Sequence, residues 1–248
     1  VDENGTVTAL RPIETVTITA VYKTNPALTC SWNLKITRTK GYITKQMLDN
    51  LDLTSIKKVM ITAHPDDETL WGGGHLIEGE YLVVCMTHGW NPKRRTAFEQ
   101  TMRTTNDKYL ILDYPDVRKT FSNGKYETDM LSTCKNAMQE DINLILSYKK
   151  WDLIATHNPF GEYGKFLHKT ISQMVTQCYN KMTNKSATLY YFGRYYNSSN
   201  KIPGEQIAPE LLAIKNSMVG RYYPTAKGAI DAFGHMIPYE NWLLPSEW

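Results

Sequence analysis

The sequence predicts an α/β fold: a Rossmann-like, mostly parallel sheet with helices on both faces, preceded by a short N-terminal β segment. Three observations predict it. From about residue 37 onward, short apolar runs alternate with longer amphipathic stretches, as in strands joined by crossover helices. The residues before that point alternate polar and apolar side chains with a period of two. The 248 residues, 42% of them hydrophobic, suffice for one large domain with a small appendage.

The N-terminal segment, residues 1–38, is predicted to form antiparallel strands over residues 6–10 and 15–22, with a turn at Asn4 and Gly5. Residues 2–10 and 17–20 resemble the second half of a bacterial immunoglobulin-like domain of the Big2 type. The resemblance implies a bacterial protein that is secreted or attached to the cell surface. A plain β-hairpin packed on the main domain is the alternative.

The main domain, residues 39–248, is predicted from alternating strand and helix patterns. An apolar run ends at Pro65, and Asp66 or Asp67 can cap the helix that follows. Three glycines at 72–74 let that helix approach a neighbour closely. Later apolar runs are short enough for strands, and the stretches between them place apolar residues on one face. We predict strands at 58–63, 81–87, 109–112, 153–156 and 187–192, and helices at 67–78, 93–108, 128–148, 166–179 and 209–219.

The most informative motif is Ala-His-Pro-Asp-Asp-Glu at residues 63–68, directly after the first apolar strand. It places one imidazole and three carboxylates within five residues. Three carboxylates so close together would resist ionising unless a cation were present. Histidine and carboxylate ligands suit zinc, and a catalytic zinc takes three protein ligands. The motif therefore indicates a metal site, and an ordinary strand-to-helix loop with a capping Asp is the alternative.

Polar residues follow two other predicted strands, at 87–89 and 157–159, and ligands of parallel sheets bind beyond the carboxyl ends of the strands. We therefore expect these loops to meet the motif at one edge of the sheet. A further metal ligand has to come from elsewhere in the chain. His168 falls in the first turns of a predicted helix and can point back over that edge. The five candidates for that ligand are His75, His88, His157, His168 and His235.

The motif, together with Gly-Glu-Tyr-Gly-x-x-x-His at residues 161–168, resembles the zinc-dependent N-acetylglucosaminide deacetylases of the PIG-L/LmbE family. The resemblance runs over most of residues 56–191. It implies a metal-dependent amide hydrolase that removes the acetyl group from an N-acetylated amino sugar, with Zn²⁺ as cofactor. It also implies roles for individual residues: metal ligands at His64, Asp67 and His168, a general base at Asp66, and an oxyanion donor at Tyr163.

One position departs from the family pattern, because Lys165 stands where the family usually has a second histidine. The Lys165 ammonium supplies positive charge, but its ordinary pKa is high for a general acid. Lys165 is therefore either a catalytic residue, a mark of a weakened enzyme or a solvated helix residue. Arg95 and Asp116 are candidates for binding the substrate. A catalytically weakened glycan-binding module and a hydrolase of another bond, such as a phosphoester, are the alternative functions.

Composition excludes several other classes. The net charge of +3 and the absence of long Lys/Arg runs argue against nucleic acid as a partner. The sequence contains no run of 18 apolar residues, so no membrane span is predicted. The four cysteines are widely spaced and show no metal-ligand pattern. An N-acetylated sugar or glycan is the expected partner.

Overall fold

The computed structural model describes residues 13–36, 38–117, 129–183 and 185–248. It has a five-stranded parallel sheet flanked by helices and a separate two-stranded antiparallel sheet, which confirms the predicted fold class. The strands are β1 Ile13–Val21, β2 Thr29–Ile36, β3 Lys58–Thr62, β4 Tyr81–Thr87, β5 Lys108–Tyr114, β6 Leu153–His157 and β7 Thr188–Phe192. The helices are α1 Lys45–Asp49, α2 Asp67–Glu78, α3 Pro92–Thr105, α4 Asp129–Tyr148, α5 Gly161–Gly164, α6 Phe166–Lys181 and α7 Pro209–Phe233.

The central strands are apolar because helices cover both faces of the sheet. Every residue of β4 is buried. One face packs against α1, α4 and α6, and the other against α2, α3 and α7. Among the described residues no helix combines the length and apolar character that crossing a bilayer requires.

The strand order β5-β4-β3-β6-β7 places a topological switch point between β3 and β6. From β3 the chain continues outward to β4, whereas from β6 it continues to β7 on the other side. The connections therefore diverge at this point and leave a crevice beyond the carboxyl ends of β3 and β6, where ligands bind in open α/β sheets. Residues 63–68 follow β3 directly, and His157 ends β6.

The glycines at 72–74 admit a neighbouring helix, as the sequence predicts. Gly72 has a non-helical φ of −149°, so α2 is kinked there. A Cβ atom on Gly73 would lie 2.9 Å from the Lys215 side chain of α7. Lys215 is fully buried, and its Nζ atom lies 2.7 Å from Glu240. The glycines thus make room for a buried ion pair behind α2.

Glu240 also accepts hydrogen bonds from the backbone of α2. Its carboxylate accepts the backbone N–H groups of Gly74 and His75, at 2.6 and 3.0 Å. These N–H groups lie just after the kink at Gly72. The segment that follows α7 therefore stabilises α2 in its bent form.

Several predicted boundaries were wrong. Helix α3 ends at Thr105, before the predicted residue 108, because Asn106 adopts a left-handed conformation with φ of 59°. Helix α7 continues to Phe233, past the predicted end at 219, with a kink at Ala226 two residues after Pro224. Tyr222 and Phe233 are buried in the core that α7 forms with the sheet. Their burial offsets the free-energy cost of a proline inside the helix.

The N-terminal sheet contains one strand that the sequence predicted and one that it did not. The predicted strand over residues 6–10 and the turn at Asn4 and Gly5 lie outside the described residues. Within them, β1 pairs with β2, a strand that the sequence analysis did not identify. Thr17 and Thr19 hydrogen-bond across to Asn33 and Ser31 on one face.

Candidate metal centre

The loop after β3 turns sharply so that its polar side chains face inward. The His64 N–H group donates to Asp67 Oδ2 at 2.7 Å. Asp66 has φ of 141°, a region that residues other than glycine rarely adopt, and such strain is typical of functional sites. Asp66 occupies the N-cap position of α2, but its side chain accepts no helix N–H group. Glu68 accepts the Asp66 N–H group instead, at 3.1 Å. The capping alternative therefore does not account for Asp66.

Three donor atoms from distant parts of the chain meet beyond β3. His64 Nδ1 lies 2.9 Å from His168 Nε2, and Asp67 Oδ2 lies 3.3 Å from the former and 3.4 Å from the latter. All three side chains are buried. Ligands of a tetrahedral zinc at 2.0–2.1 Å are separated from one another by roughly 3.3–3.4 Å. The donor types suit Zn²⁺, and the two distances to Asp67 match this spacing, whereas the two imidazole nitrogens lie closer together. The residues are the three that the sequence analysis named.

Carboxylates outside this triangle orient both imidazoles. His64 Nε2 lies 3.0 Å from Asp116 Oδ1, and His168 Nδ1 contacts Glu162 Oε2. The outer nitrogens can donate to these carboxylates, which leaves the inner nitrogens available as metal ligands. Such carboxylate–histidine pairs are characteristic of metal ligands. Without a metal ion, the 2.9 Å contact between His64 Nδ1 and His168 Nε2 requires a proton on one of these two nitrogens.

The charges at this centre favour a cation as well. Burial disfavours a charged imidazole, but the Asp116 carboxylate outweighs it and raises the pKa of His64 to about 9. Burial likewise opposes ionisation of Asp67, but the surrounding histidines, His168 first, outweigh it and hold the pKa of Asp67 well below its usual range. Without a metal ion, a proton on His64 supplies the positive charge, and metal binding displaces it.

His157 connects the loop after β3 to Glu162 through hydrogen bonds. Its Nε2 atom accepts the Ala63 N–H group at 2.9 Å, and its Nδ1 atom lies 3.0 Å from Glu162 Oε1. Burial lowers the pKa of His157 to about 4, so the ring is neutral. Both ring nitrogens are thus engaged by the protein, and His157 positions Glu162, which in turn orients His168.

Asp66 lies beside the triangle without joining it. Its Oδ2 atom accepts from Arg94 Nη2 at 3.1 Å, and Asp66 is buried. Burial and the neighbouring Asp67 raise the pKa of Asp66 to about 7, although Arg94 and His64 oppose the shift. A carboxylate with a pKa in this range can take up and release a proton near neutral pH.

The substrate candidates occupy different positions. Arg95 is half exposed and bonds to Glu99 at 3.0 Å and to the Gly89 carbonyl at 3.3 Å, so Arg94 rather than Arg95 reaches the centre. Asp116 contacts His64 directly and lies 3.5 Å from His88 Nε2. Among the residues that the structure describes, three groups of side chains have donor atoms close enough to hold a cation: His64 with Asp67 and His168, His64 with His88 and Asp116, and His157 with Glu162 and His168.

The remaining histidine candidates lie outside the triangle. His75 stacks on Trp242 with ring centroids 3.8 Å apart, and His235 contacts the Tyr196 carbonyl through Nε2 at 2.8 Å. His88 has a left-handed backbone, with φ of 65°, and its ring is tilted against His64. Of the five histidine candidates, the structure brings His168 into the triangle with His64 and Asp67.

A cavity of about 560 Å³ lies beside the centre. Arg94, which holds Asp66, is on its wall, and so are Tyr163 and Lys165. The segment of α7 after the Pro224 kink forms the opposite wall. The remaining lining residues are Tyr195, Thr225, Ala226, Lys227, Gly228, Ala229, Ala232 and Phe233.

Sequence reasoning assigned no role to three residues that shape the centre. Glu162 is within the second motif, between Gly161 and Tyr163, and a carboxylate beside a predicted ligand loop was the available signal. Arg94 is adjacent to the candidate that was named. Tyr222, whose hydroxyl donates to Glu68 at 2.6 Å, comes from the far end of the chain, and no local pattern marks it.

Comparison with known proteins bears on both the fold and the family of this chain. No family model matches the chain. The crystal structure of the conserved protein TT1542 from Thermus thermophilus is similar in fold, with a TM-score of 0.52 and 13% identity, over 77% of this chain and 95% of that one. The uncharacterized protein L374 of Acanthamoeba polyphaga mimivirus is 31% identical over 175 residues, which are 64% of this chain and 67% of that protein. The chain therefore belongs to the same family as this mimivirus protein.

Proposed function

We propose that the protein is a zinc-dependent hydrolase that removes the acetyl group from an N-acetylated amino sugar and releases acetate. The observation that carries the proposal is the convergence of His64, Asp67 and His168 beyond the switch point of the sheet, with Asp66 beside them. The resemblance of both motifs to the PIG-L/LmbE deacetylases supplies the reaction class. The Big2 resemblance of residues 1–38 and the secreted or cell-surface location remain predictions.

Each of the side chains at the centre has a different role in the proposed reaction. A bound Zn²⁺ supplies Lewis-acid chemistry and shifts the pKa of water toward about 7. Asp66 acts as the general base and returns its proton to the leaving amine. Arg94 holds the Asp66 carboxylate in place through its guanidinium. Tyr163, which is half exposed on the cavity wall, donates to the oxygen that becomes negative during the reaction.

Acetate release tests the proposal. The purified chain is incubated with N-acetylglucosamine and its chitobiose-type oligomers, with zinc, with a chelator, and with zinc restored. We expect acetate only in the zinc-containing samples. Tight glycan binding without acetate release would instead favour the weakened glycan-binding module.

A substitution that fills the cavity tests whether the substrate binds there. A Cβ atom on Gly228 would meet no atom within 4 Å, so Gly228→Phe can be accommodated and would occupy the cavity. We expect acetate release to fall while zinc content stays unchanged. Gly220→Phe is the matched control, because Gly220 is on the same helix with equally open surroundings and is not among the residues that line the cavity. Equal acetate release by the two variants would show that the substrate binds outside this cavity.

A further inference from the structure

Glu68, the last residue of the first motif, is a fully buried carboxylate outside the metal triangle. Its two oxygens accept three hydrogen bonds. Oε1 accepts from the hydroxyls of Thr69 at 2.7 Å and Tyr222 at 2.6 Å. Oε2 accepts from the Asp66 N–H group at 3.1 Å. An ionised carboxylate can accept all three at once, so Glu68 connects the two hydroxyls to the backbone of Asp66.

Tyr222 is the one member of this set that comes from a distant part of the chain. It lies on α7, 154 residues after Glu68, and is itself buried. A buried carboxylate is stable only when donors replace the water it has lost, and a short bond from a hydroxyl to an ionised acceptor is a strong one. Tyr222 therefore fixes Glu68 from outside α2.

The Asp66 backbone needs such support because its φ of 141° is unfavourable for a residue with a side chain. Conformations of this kind persist only where the surroundings hold them. On the carbonyl side, the Asp66 oxygen accepts the N–H groups of Thr69 and Leu70, at 3.1 and 2.9 Å. On the N–H side, Glu68 is the partner. Asp66 is thus held between the first turn of α2 and a carboxylate that α7 fixes.

Helix α7 also forms one wall of the cavity. The lining begins at Thr225, three residues after Tyr222, whereas Tyr222 is not among the lining residues. One helix therefore contributes both to the space beside the metal centre and to the orientation of the proposed general base. A pair that only joined α2 to α7 would not require the second oxygen of Glu68 to bind the Asp66 backbone.

We propose that Tyr222 is a positioning residue: through Glu68 it fixes the Asp66 backbone, and with it the direction in which the Asp66 carboxylate faces the metal centre. The inference rests on the proposed function and extends its machinery to α7. Without the hydroxyl, Glu68 loses its donor from α7 and can turn away from the Asp66 N–H group. The expected consequence is a misplaced base, with the metal ligands left in place.

Tyr222→Phe removes the hydroxyl and keeps the ring in the core. We expect kcat for acetate release to fall by about 10- to 100-fold, since a misplacement of about 1 Å can cost that much. Zinc content and KM should stay close to the wild-type values. Tyr191→Phe is the matched control, because Tyr191 is also buried, on the opposite face of the sheet, and its hydroxyl lies 2.6 Å from that of Thr176.

Both variants lose a buried hydrogen bond, so both should lose stability in urea unfolding. Only Tyr222→Phe should lose kcat. A kcat equal to that of wild type in Tyr222→Phe, or the same loss of kcat in Tyr191→Phe, would overturn the proposal.

A double-mutant cycle with Glu68 separates positioning from a general loss of stability. Glu68→Gln keeps the shape but replaces one acceptor oxygen with an amide group, so it cannot accept all three donors. Its kcat should fall as in Tyr222→Phe. The double variant should fall no further than the more affected single variant, because both substitutions act through one contact. Additive losses in kcat would show that Tyr222 acts independently of Glu68 and would contradict the proposal.

Hydrogen exchange of the Asp66 N–H group tests the same contact without turnover. In the zinc-loaded protein, NMR should show this group exchanging roughly 10-fold faster or more in Tyr222→Phe than in wild type or Tyr191→Phe, the value of a hydrogen bond to a charged group. Unchanged exchange would overturn the positioning role. Faster exchange in a protein whose wild type releases no acetate would support the contact and overturn the proposed reaction.

Discussion

The Lys215–Glu240 pair and the triangle of His64, Asp67 and His168 are both buried, but they balance their charges in different ways. Glu240 receives an ammonium and two backbone N–H groups, so every charge there has a partner within the chain. In the triangle, carboxylates outside it orient two imidazole lone pairs toward a third carboxylate. The difference teaches that a buried charged cluster is structural when fixed cations and N–H groups balance it, and indicates a ligand site when the balance depends on a proton that a metal ion can displace.

Both clusters act on the same helix. The triangle includes the first residue of α2, and the ion pair lies behind the kink at Gly72. Substitutions in one cluster should therefore change chemistry, whereas substitutions in the other should change stability. The experiments below test that separation.

Asp66→Asn should give the largest effect. The amide that replaces the carboxylate cannot take up a proton, so turnover should fall by about 10²–10⁴, the usual contribution of a general base. Zinc content, measured by mass spectrometry, should stay at the wild-type value because Asp66 is beside the triangle rather than in it. Unchanged acetate release would refute the role of Asp66.

Glu240→Ala should destabilise the fold by about 3–5 kcal/mol, because it leaves Lys215 buried without a partner. Urea unfolding in the presence of chelator measures this without a contribution from zinc. The double variant Lys215→Met with Glu240→Gln, which removes both charges, should recover much of the loss. A small effect of Glu240→Ala would show that the pair is not needed to hold α2.

His168→Ala should lower zinc affinity by roughly 10²–10³, about one ligand's share of the binding free energy of a structural zinc site. Stability in chelator should change much less than stability in zinc. His75→Ala is the control, since His75 stacks on Trp242 away from the triangle. Full retention of zinc by the His168 variant would remove His168 from the ligand set.

Glu162→Gln should weaken zinc binding by about 10- to 100-fold, the usual effect of losing a group that orients a ligand. Glutamine keeps the shape but loses the charge that fixes the His168 tautomer. Competition with a zinc-binding dye measures the change. An affinity equal to that of wild type would mean that Glu162 contributes only packing.

The smallest expected effect is the contribution of the Lys215–Glu240 pair to the pH dependence of stability. Burial opposes ionisation of Glu240, but Lys215 outweighs it and lowers the pKa of Glu240 from its ordinary value of 4.5. A lowered folded-state pKa contributes stability above the unfolded pKa, and this contribution is lost as the pH falls through the folded pKa. The double variant described above should therefore lose less stability between neutral and acid pH than the wild type. Parallel curves would contradict this expectation.

Much of the fold could be predicted from local patterns. The bounds of α2 and β4 match the predictions, because periodicity and turn residues specify them directly. Short elements such as α1 and α5 were missed, since a single helical turn leaves little periodic signal. The length of α7 was underestimated because tertiary packing overrides the proline within it.

The sequence by itself determined the chemistry available to this protein: the residue types at 63–68 and 161–168, and their positions at the ends of apolar strands. Only the tertiary structure decided which of these groups meet. It brought Glu162 and Asp116 behind the two imidazoles, Arg94 to Asp66 and the kinked half of α7 across the cavity. The physical reason is that local periodicity depends on near neighbours in the chain, whereas ligand geometry depends on side chains that only packing brings within a few ångströms.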